Sequence, residues 1–256
     1  MAEAHVELPN AIWHAAALVE TAHPPILVRG YLDLLGGEQP VTTGVVGALM
    51  RTKLVPSIYE RWWRPVFTQA AKGPFGPSTA GEFRLAKDYL DLEPGDVVLD
   101  VACGPGNFTR ALAESVGDRG LAVGVDASPT MLERAVADTH CDNVAYVHAD
   151  ATELPLRTGG FDAVGCFLGL HLFDDPVLAV ERMAAILAPG GRLALFTSCG
   201  RAEPLSRALT APLCHLGGAH LFTRRELTNL LAGLGFTDIR QQVHGFVQFV
   251  GARKPT

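Results

Sequence analysis

The spacing of apolar residues changes near residue 95 and divides the chain into two parts. From Asp96 onward, short apolar runs alternate with stretches whose apolar positions recur at helical spacing. Continuous apolar strands separated by helices predict a mostly parallel sheet that helices cover on both faces. The seven runs that we predict to be strands are VVLDVAC, LAVGVD, VAYVHAD, FDAVGCFL, RLALFTS, FTDIRQQV and HGFVQFVGAR.

The last two of these runs are joined through His244–Gly245, which predicts a terminal hairpin with one antiparallel strand in the sheet. The predicted fold class is therefore α/β, a doubly wound seven-stranded sheet that is otherwise parallel. We assign this domain to residues 79–256, with Thr79 and Glu82 as a capping box for its first helix. A lid insertion is predicted over about 198–222, and His215 and His220 are expected to face solvent there.

Residues 1–78 mix Pro, Gly and aromatic residues without a steady period, and we predict an N-terminal accessory cap there. Within it, the segment PSIYERWWRPVF has aromatic residues at helical spacing. Two interpretations of Tyr59 and Trp63 stay open. They line an apolar pocket for a substrate, or they fix the cap to the core.

A glycine-containing turn follows the first predicted strand of the domain. Asp100 lies at the end of that strand, and Gly104 and Gly106 follow before a helix begins near Phe108. Glycine lets the backbone turn sharply and approach a ligand closely. In open α/β sheets the ligand lies beyond the carboxyl ends of the strands. Alone, such a turn also fits a tight connection without a ligand, or a dinucleotide-binding loop.

Acidic residues also end the next two strands. Asp126 lies where a carboxylate can accept hydrogen bonds from both hydroxyls of a ribose, and Asp150 where an adenine amino group can donate. The competing interpretation for each acid is a helix N-cap or a turn former, and at Asp126 the N-cap role competes with Ser128. Acids at three successive strand ends, the first with a glycine turn, favour a nucleoside-containing ligand.

These segments resemble those of the class I, Rossmann-like methyltransferases, and in particular the methyltransferase type 11-like family. The pattern Asp100-x-Ala102-x-Gly104-x-Gly106 resembles the first motif of that class, with Ala102 where the first glycine usually lies. VGVDASPTMLERA resembles the ribose segment, ADATELPL the adenine motif, and LAPGGRLAL the turn into the fifth strand. FDAVGCFLGLHLFDDP resembles the fourth strand and its loop.

The resemblance implies S-adenosylmethionine as the cofactor, S-adenosylhomocysteine as the product, and no metal. It implies that Asp100 and the backbone of the turn face the methionine part, that Asp126 holds the ribose, and that Asp150 holds the adenine. The full set of cofactor-binding residues that it implies is Asp100, Ala102, Cys103, Gly104, Gly106, Asp126, Ala127, Met131, Asp150, Ala151, Phe167 and Leu168.

The resemblance also places His171, just past the fourth strand, beside the transferable methyl group. A histidine with a pKa near neutrality suits a general base that removes the acceptor's proton. Two other roles stay open for His171, in which it packs over the cofactor or caps the helix after Asp174–Asp175–Pro176.

Composition narrows the function further. A net charge of −6 argues against a large phosphate-binding surface, so we expect a small-molecule acceptor and no nucleic acid. The chain has five scattered cysteines without a C-x-x-C pair, and it lacks both a signal peptide and an 18-residue apolar run. We therefore expect a cytoplasmic protein without a membrane span.

Three hypotheses remain. The first is methyl transfer to a hydroxyl or carbon of a small, apolar acceptor. The second is an RNA methyltransferase, because Val28–Leu35 faintly resembles a stretch of an rRNA guanine methyltransferase family, although the zinc cysteines of that family are missing. The third is a protein that binds the cofactor without turnover.

Overall fold

The computed structural model describes residues 10–21, 24–36, 69, 71–200 and 220–256. Within them, one sheet contains β1 (Ile26–Val28), β2 (Tyr31–Asp33), β3 (Val97–Val101), β4 (Leu121–Asp126), β5 (Val144–His148), β6 (Phe161–Phe167), β7 (Leu187–Ser198), β8 (Thr237–His244) and β9 (Val247–Arg253). The α-helices are α1 (Asn10–Ala17), α2 (Thr79–Leu90), α3 (Asn107–Val116), α4 (Pro129–Ala137), α5 (Pro176–Ile186) and α6 (Glu226–Gly233). A short 3₁₀ turn covers Leu170–Leu172.

The strands lie in the order β1-β2-β5-β4-β3-β6-β7-β9-β8. Strands β5, β4, β3, β6 and β7 are parallel to one another. The C-terminal hairpin inserts β9 antiparallel to both β7 and β8. The predicted doubly wound α/β class and the antiparallel strand of the terminal hairpin are both confirmed.

The predicted number of seven strands is two short of the nine in the described sheet. The additional strands, β1 and β2, form a hairpin, and β2 pairs in parallel with the edge of β5. Arg29 and Gly30 connect them with φ angles of 48° and 88°, and a two-residue type I′ turn requires positive φ at both positions. Strands of three residues are too short to show a period in the sequence, which is why the apolar pattern missed them.

Helices cover both faces of the sheet. Apolar residues of α1, α5 and α6 pack on one face together with Leu99 and Val101 of β3. Those of α2, α3 and α4 pack on the other face, where Val98 of the same strand points. This alternation along a buried strand follows from the two-residue period of β structure. The carboxyl edge of the parallel strands is thereby left as the place for a ligand.

Helix α2 begins differently from the prediction. Its N-cap is Ser78, whose side chain accepts a hydrogen bond from the Gly81 amide, so the predicted capping box of Thr79 and Glu82 is wrong. Glu82 is instead buried and accepts a hydrogen bond from Lys72 Nζ at 2.7 Å. A buried carboxylate needs a partner of opposite charge, and this requirement outweighs the capping role.

Part of the predicted accessory segment belongs to the sheet, because β1 and β2 extend its β5 edge and Ala11, Ile12 and Ala15 of α1 pack in its core. A boundary between cap and domain at residue 78 stays a prediction. The predicted cap residues Tyr59 and Trp63, the lid residue His215, and most of the predicted lid over 198–222 lie outside the described residues.

Candidate active site

The residues that the sequence singled out meet at the carboxyl edge of the parallel strands. Asp100 lies in β3, Asp126 ends β4, Asp150 follows β5, and His171 follows β6. These strands are neighbours in the sheet, so their carboxyl ends lie side by side. The arrangement is the crevice in which open α/β sheets bind their ligands.

The turn after β3 has a backbone that side chains would disturb. Ala102, Gly104 and Gly106 all have positive φ angles, of 56°, 54° and 74°. A Cβ atom at Gly106 would lie 2.2 Å from the hydroxyl oxygen of Tyr146, so this position admits no side chain. No motif in the sequence signals that the hydroxyl of Tyr146 lies beneath the turn.

Asp100 is buried, and Thr109 Oγ1 of α3 donates a hydrogen bond to its Oδ2 at 2.6 Å. Such charge-assisted bonds are short and strong. The bond fixes the first turns of α3 against the end of β3. Asp100 therefore stabilises the turn at residues 102–106 between β3 and α3, which we call the cofactor turn after its predicted role.

The Thr109–Asp100 bond leads to a stability prediction. Thr109→Val should lower the free energy of unfolding by about 1.5–3 kcal/mol, because the buried carboxylate loses a donor. Thr197→Val is the matched control, since Thr197 Oγ1 is buried and has no hydrogen-bond partner among the described residues. We expect the control to be neutral or slightly stabilising in urea denaturation, and equal losses in the two variants would contradict the prediction.

Asp126 connects the cofactor turn to the next helix. Its Oδ2 accepts a hydrogen bond from the Gly104 amide, and its Oδ1 one from the Ser128 amide, both at 2.8 Å. The N-cap of α4 is Ser128, whose Oγ accepts from the Met131 amide, so Asp126 does not have the capping role. A carboxylate oxygen can accept more than one hydrogen bond, so this geometry is compatible with ribose hydroxyls as further donors.

Asp150 forms a turn, which is the competing interpretation of this residue from the sequence. Its Oδ1 accepts hydrogen bonds from the amide and the hydroxyl of Thr152, each at 2.7 Å, in an Asx turn. Next to it, the ring of His148 contacts Asp33 Oδ1 at 2.8 Å and the carbonyl oxygen of Ala127 at 3.2 Å. The hairpin strand β2 therefore braces the predicted adenine and ribose loops, a contact that no sequence motif signals.

His171 is partly buried, and its Nδ1 is buried without a hydrogen-bond partner among the described residues. Burial lowers the pKa of His171 from 6.5 to about 4, because a charged ring would lose its hydration. The ring is therefore neutral near pH 7. It does not cap α5, since Asp175 Oδ1 accepts the hydrogen bond from the Leu178 amide there.

His220 lies beside His171, although the sequence suggested only a solvent-facing lid residue. Its amide donates to the His171 carbonyl at 2.7 Å, and its ring Nε2 lies 2.9 Å from Glu226 Oε1. Burial alone would raise the pKa of Glu226, but hydrogen bonds from the Thr223 amide and His220 outweigh it and lower that pKa. These two contacts connect α6 through His220 to the loop of His171.

The remaining predicted cofactor residues are at the same edge. Phe167 is buried, and its ring stacks on Phe108 at 4.3 Å between centroids, so its side chain belongs to the core. Leu168 has a φ of 66°, and Met131 is buried in α4. Cys103 is buried, which raises the pKa of its thiol well above its usual value, and its amide donates to Val125. Ala151 is half-buried against the core.

Within the described ranges, no three His, Cys, Asp or Glu side chains cluster in a way that could hold a metal ion. No helix within those ranges is both long enough and apolar enough to cross a membrane.

Comparisons with known proteins point to a methyltransferase domain. Residues 98–191 match the family model of a methyltransferase domain. The chain is 30% identical over 240 residues to an uncharacterised chloroplastic methyltransferase of Arabidopsis thaliana, covering 90% of this chain and 65% of that protein. It is 36% identical over 129 residues to the demethylmenaquinone methyltransferase of Staphylococcus aureus, covering 50% of this chain and 53% of that enzyme. The chain thus spans between about half and two thirds of the length of these curated relatives.

The fold is similar to that of phosphoethanolamine N-methyltransferase 2 of Haemonchus contortus, solved with phosphomonomethylethanolamine and S-adenosylhomocysteine. The TM-score is 0.65 at 17% identity, and the match covers 82% of this chain and 59% of the other.

Proposed function

We propose that this chain is a class I, Rossmann-like S-adenosylmethionine-dependent methyltransferase, which the match of residues 98–191 to a methyltransferase domain supports, and that it transfers a methyl group to a hydroxyl or carbon of a small, apolar acceptor. The observation that carries the proposal is the pairing of the Asp126 carboxylate, at the end of β4, with the Gly104 amide after β3, the strand next to the one that His171 follows. The ring of His171 is neutral, and its Nδ1 has no hydrogen-bond partner among the described residues. The proposed nucleoside site and the proposed proton acceptor then lie at the same edge of the sheet, on either side of β3.

The residues present fit S-adenosylmethionine. Gly106, which admits no side chain above Tyr146, lets the backbone approach the methionine part. Asp126 has the oxygens for the ribose hydroxyls. Oδ1 of Asp150 is engaged by Thr152, and we assign its Oδ2 to the adenine amino group. Met131, Ala127, Ala151, Phe167 and Leu168 are proposed as the backbone and apolar wall of the same site.

When bound, the cofactor supplies a methyl group that its sulfonium already activates. The chain then has to orient the acceptor, exclude water and accept a proton. We assign the proton to Nδ1 of His171, which has no other partner among the described residues. From the sequence we expect a pKa near neutrality for this histidine, but burial lowers the pKa to about 4. The ring is therefore neutral at physiological pH, with one nitrogen that has a free lone pair, but it is a weaker base than expected.

The end of the predicted cap segment lies close to the carboxyl edge of the sheet. The Ala71 carbonyl accepts a hydrogen bond from the Phe246 amide, and the Phe246 carbonyl accepts one from Cys199, which follows β7. The cap segment therefore joins the domain at the carboxyl edge, and we propose that Tyr59, Trp63 and His215 complete the acceptor pocket there. The demethylmenaquinone enzyme among the relatives acts on an acceptor of this kind.

The test is to incubate the full chain with S-adenosylmethionine and a panel of phenols and quinols, and to measure release of S-adenosylhomocysteine. We expect release above the acceptor-free rate with at least one apolar acceptor. Structured RNA at physiological salt is a parallel arm, because the RNA hypothesis predicts release there instead. Tight cofactor binding in calorimetry without release in any arm would favour the binding protein without turnover.

A cytoplasmic location also remains a proposal, and the Arabidopsis relative is named as chloroplastic.

A further inference from the structure

Ala102 of the cofactor turn lies directly against Gly169 of the loop that carries His171. A Cβ atom added at Gly169 would lie 2.5 Å from the Ala102 Cβ. The next atoms, Cys166 Sγ and the Ala102 carbonyl oxygen, would be at 3.5 and 3.8 Å, which is ordinary contact. The alanine methyl is therefore what excludes a side chain at position 169.

The backbone does not require glycine at position 169. Its φ and ψ are −106° and −36°, which any residue adopts. In contrast, Ala102 has a φ of 56°, a left-handed conformation that strains a residue with a Cβ atom. Alanine therefore occupies position 102, where the backbone suits glycine, and glycine occupies position 169, where the backbone accepts any residue.

Both sides of this contact are held in place. On one side, the amide of Cys103 donates to Val125 and the amide of Gly104 to Asp126. On the other side, the Leu168 amide donates to the Phe196 carbonyl at 2.7 Å. Strain of this kind persists where the surroundings fix the backbone, and close-packed interiors relax only partially.

Gly169 is also the N-cap of the 3₁₀ turn that contains His171, and its carbonyl accepts the hydrogen bond from the Leu172 amide at 2.9 Å. A displacement of Gly169 therefore displaces His171. We infer that Ala102 and Gly169 form a matched pair that sets the position of His171 relative to the cofactor turn. Ala102 is then a positioning residue for the reaction, and the consequence for turnover rests on the proposed function.

The test moves the alanine side chain of this contact from position 102 to position 169. Gly169→Ala brings two carbons to 2.5 Å where about 3.5–4.0 Å is the normal separation, so a loop must move by on the order of 1 Å. A misplacement of that size lowers turnover by about 10²-fold. Ala102→Gly combined with Gly169→Ala removes the overlap, and the double variant should recover most of the lost turnover.

The imidazole resonances of His171, identified by their loss in His171→Gln, provide a readout that does not require turnover. We expect them to shift in Gly169→Ala and to return towards the wild-type positions in the double variant. The matched control is Gly233→Ala at the end of α6, where a Cβ atom would meet nothing within 4 Å. It should leave both turnover and the resonances unchanged.

Wild-type resonances and turnover in Gly169→Ala would overturn the inference, and so would a double variant no closer to wild type than the single one. If Gly169→Ala does not fold, recovery of the thermal transition in the double variant supports the pair, and continued unfolding in the double variant overturns it. If the wild type methylates no acceptor, the proposed function fails, while the shift of the resonances and its reversal still decide whether the pair exists.

Discussion

His171→Ala should reduce turnover by about 10²–10⁴-fold at saturating cofactor, while the affinity for S-adenosylhomocysteine stays near the wild-type value. The reason is the arrangement around its ring. Nδ1 is buried and has no hydrogen-bond partner among the described residues, so no described side chain or backbone group competes for it with the acceptor's proton. The measurement is steady-state release of S-adenosylhomocysteine with a hydroxyl acceptor, beside calorimetry of product binding.

His140→Ala is the control, because His140 is an exposed histidine between α4 and β5. It should leave both quantities unchanged. If His171 is instead part of the cofactor pocket wall, affinity should fall and turnover at saturating cofactor should survive. Retained turnover in His171→Ala would therefore exclude the general-base role.

The pKa of His171 also fixes the expected pH dependence of that turnover. Burial lowers the pKa from 6.5 to about 4, so the proton-accepting, neutral form is lost only as the pH falls through about 4. We expect no loss of turnover near pH 6.5 for an acceptor that does not itself titrate in this range. A loss centred near 6.5 would mean that the buried ring of His171 is not the proton acceptor.

Asp126→Ala should weaken the binding of S-adenosylhomocysteine by about 1.5–3 kcal/mol, or roughly 10- to 150-fold in the dissociation constant. The variant loses the predicted acceptor of the ribose hydroxyls. It also leaves the Gly104 and Ser128 amides without the oxygens that they contact. Isothermal titration with S-adenosylhomocysteine measures the change.

Glu133→Ala is a matched control on the neighbouring helix, since Glu133 is an exposed acid that pairs with Arg29. Exposed ion pairs contribute little, so we expect no change in cofactor affinity. Adenosine without its ribose hydroxyls adds a second comparison. It should bind both Asp126→Ala and wild type weakly, and equal affinities of the Asp126 and Glu133 variants for the product would contradict the ribose assignment.

Most of the architecture could be predicted from local patterns. The alternation of apolar runs with helical stretches predicted the seven central and C-terminal strands of the sheet, from β5 to β8. The apolar pattern did not predict the β1–β2 hairpin, because each of its strands has only three residues. The place of the hairpin in the sheet depends on the pairing of β2 with β5. The capping box at Thr79 was wrong because Glu82 pairs with Lys72 from outside the helix.

The candidate site likewise contains residues that could be predicted from the sequence and contacts that could not. Asp100, Asp126, Asp150 and the glycine turn could be predicted because each lies at or just after the end of a strand, and neighbouring parallel strands bring their carboxyl ends to one edge. The contacts that support these residues could not be predicted. Tyr146 beneath Gly106 and Glu226 beside His220 carry no motif of their own.

The sequence by itself determined the fold class, the edge at which we predict the ligand and the acids at that edge, because strand period and strand-end residues are local properties of the chain. Only the tertiary structure decided the state of these groups. Asp33 reaches His148 across 115 positions of sequence, and the neutral ring of His171 depends on the atoms packed around it. Burial and long-range contacts set the charge and position of a side chain, and both arise only after distant segments have packed together.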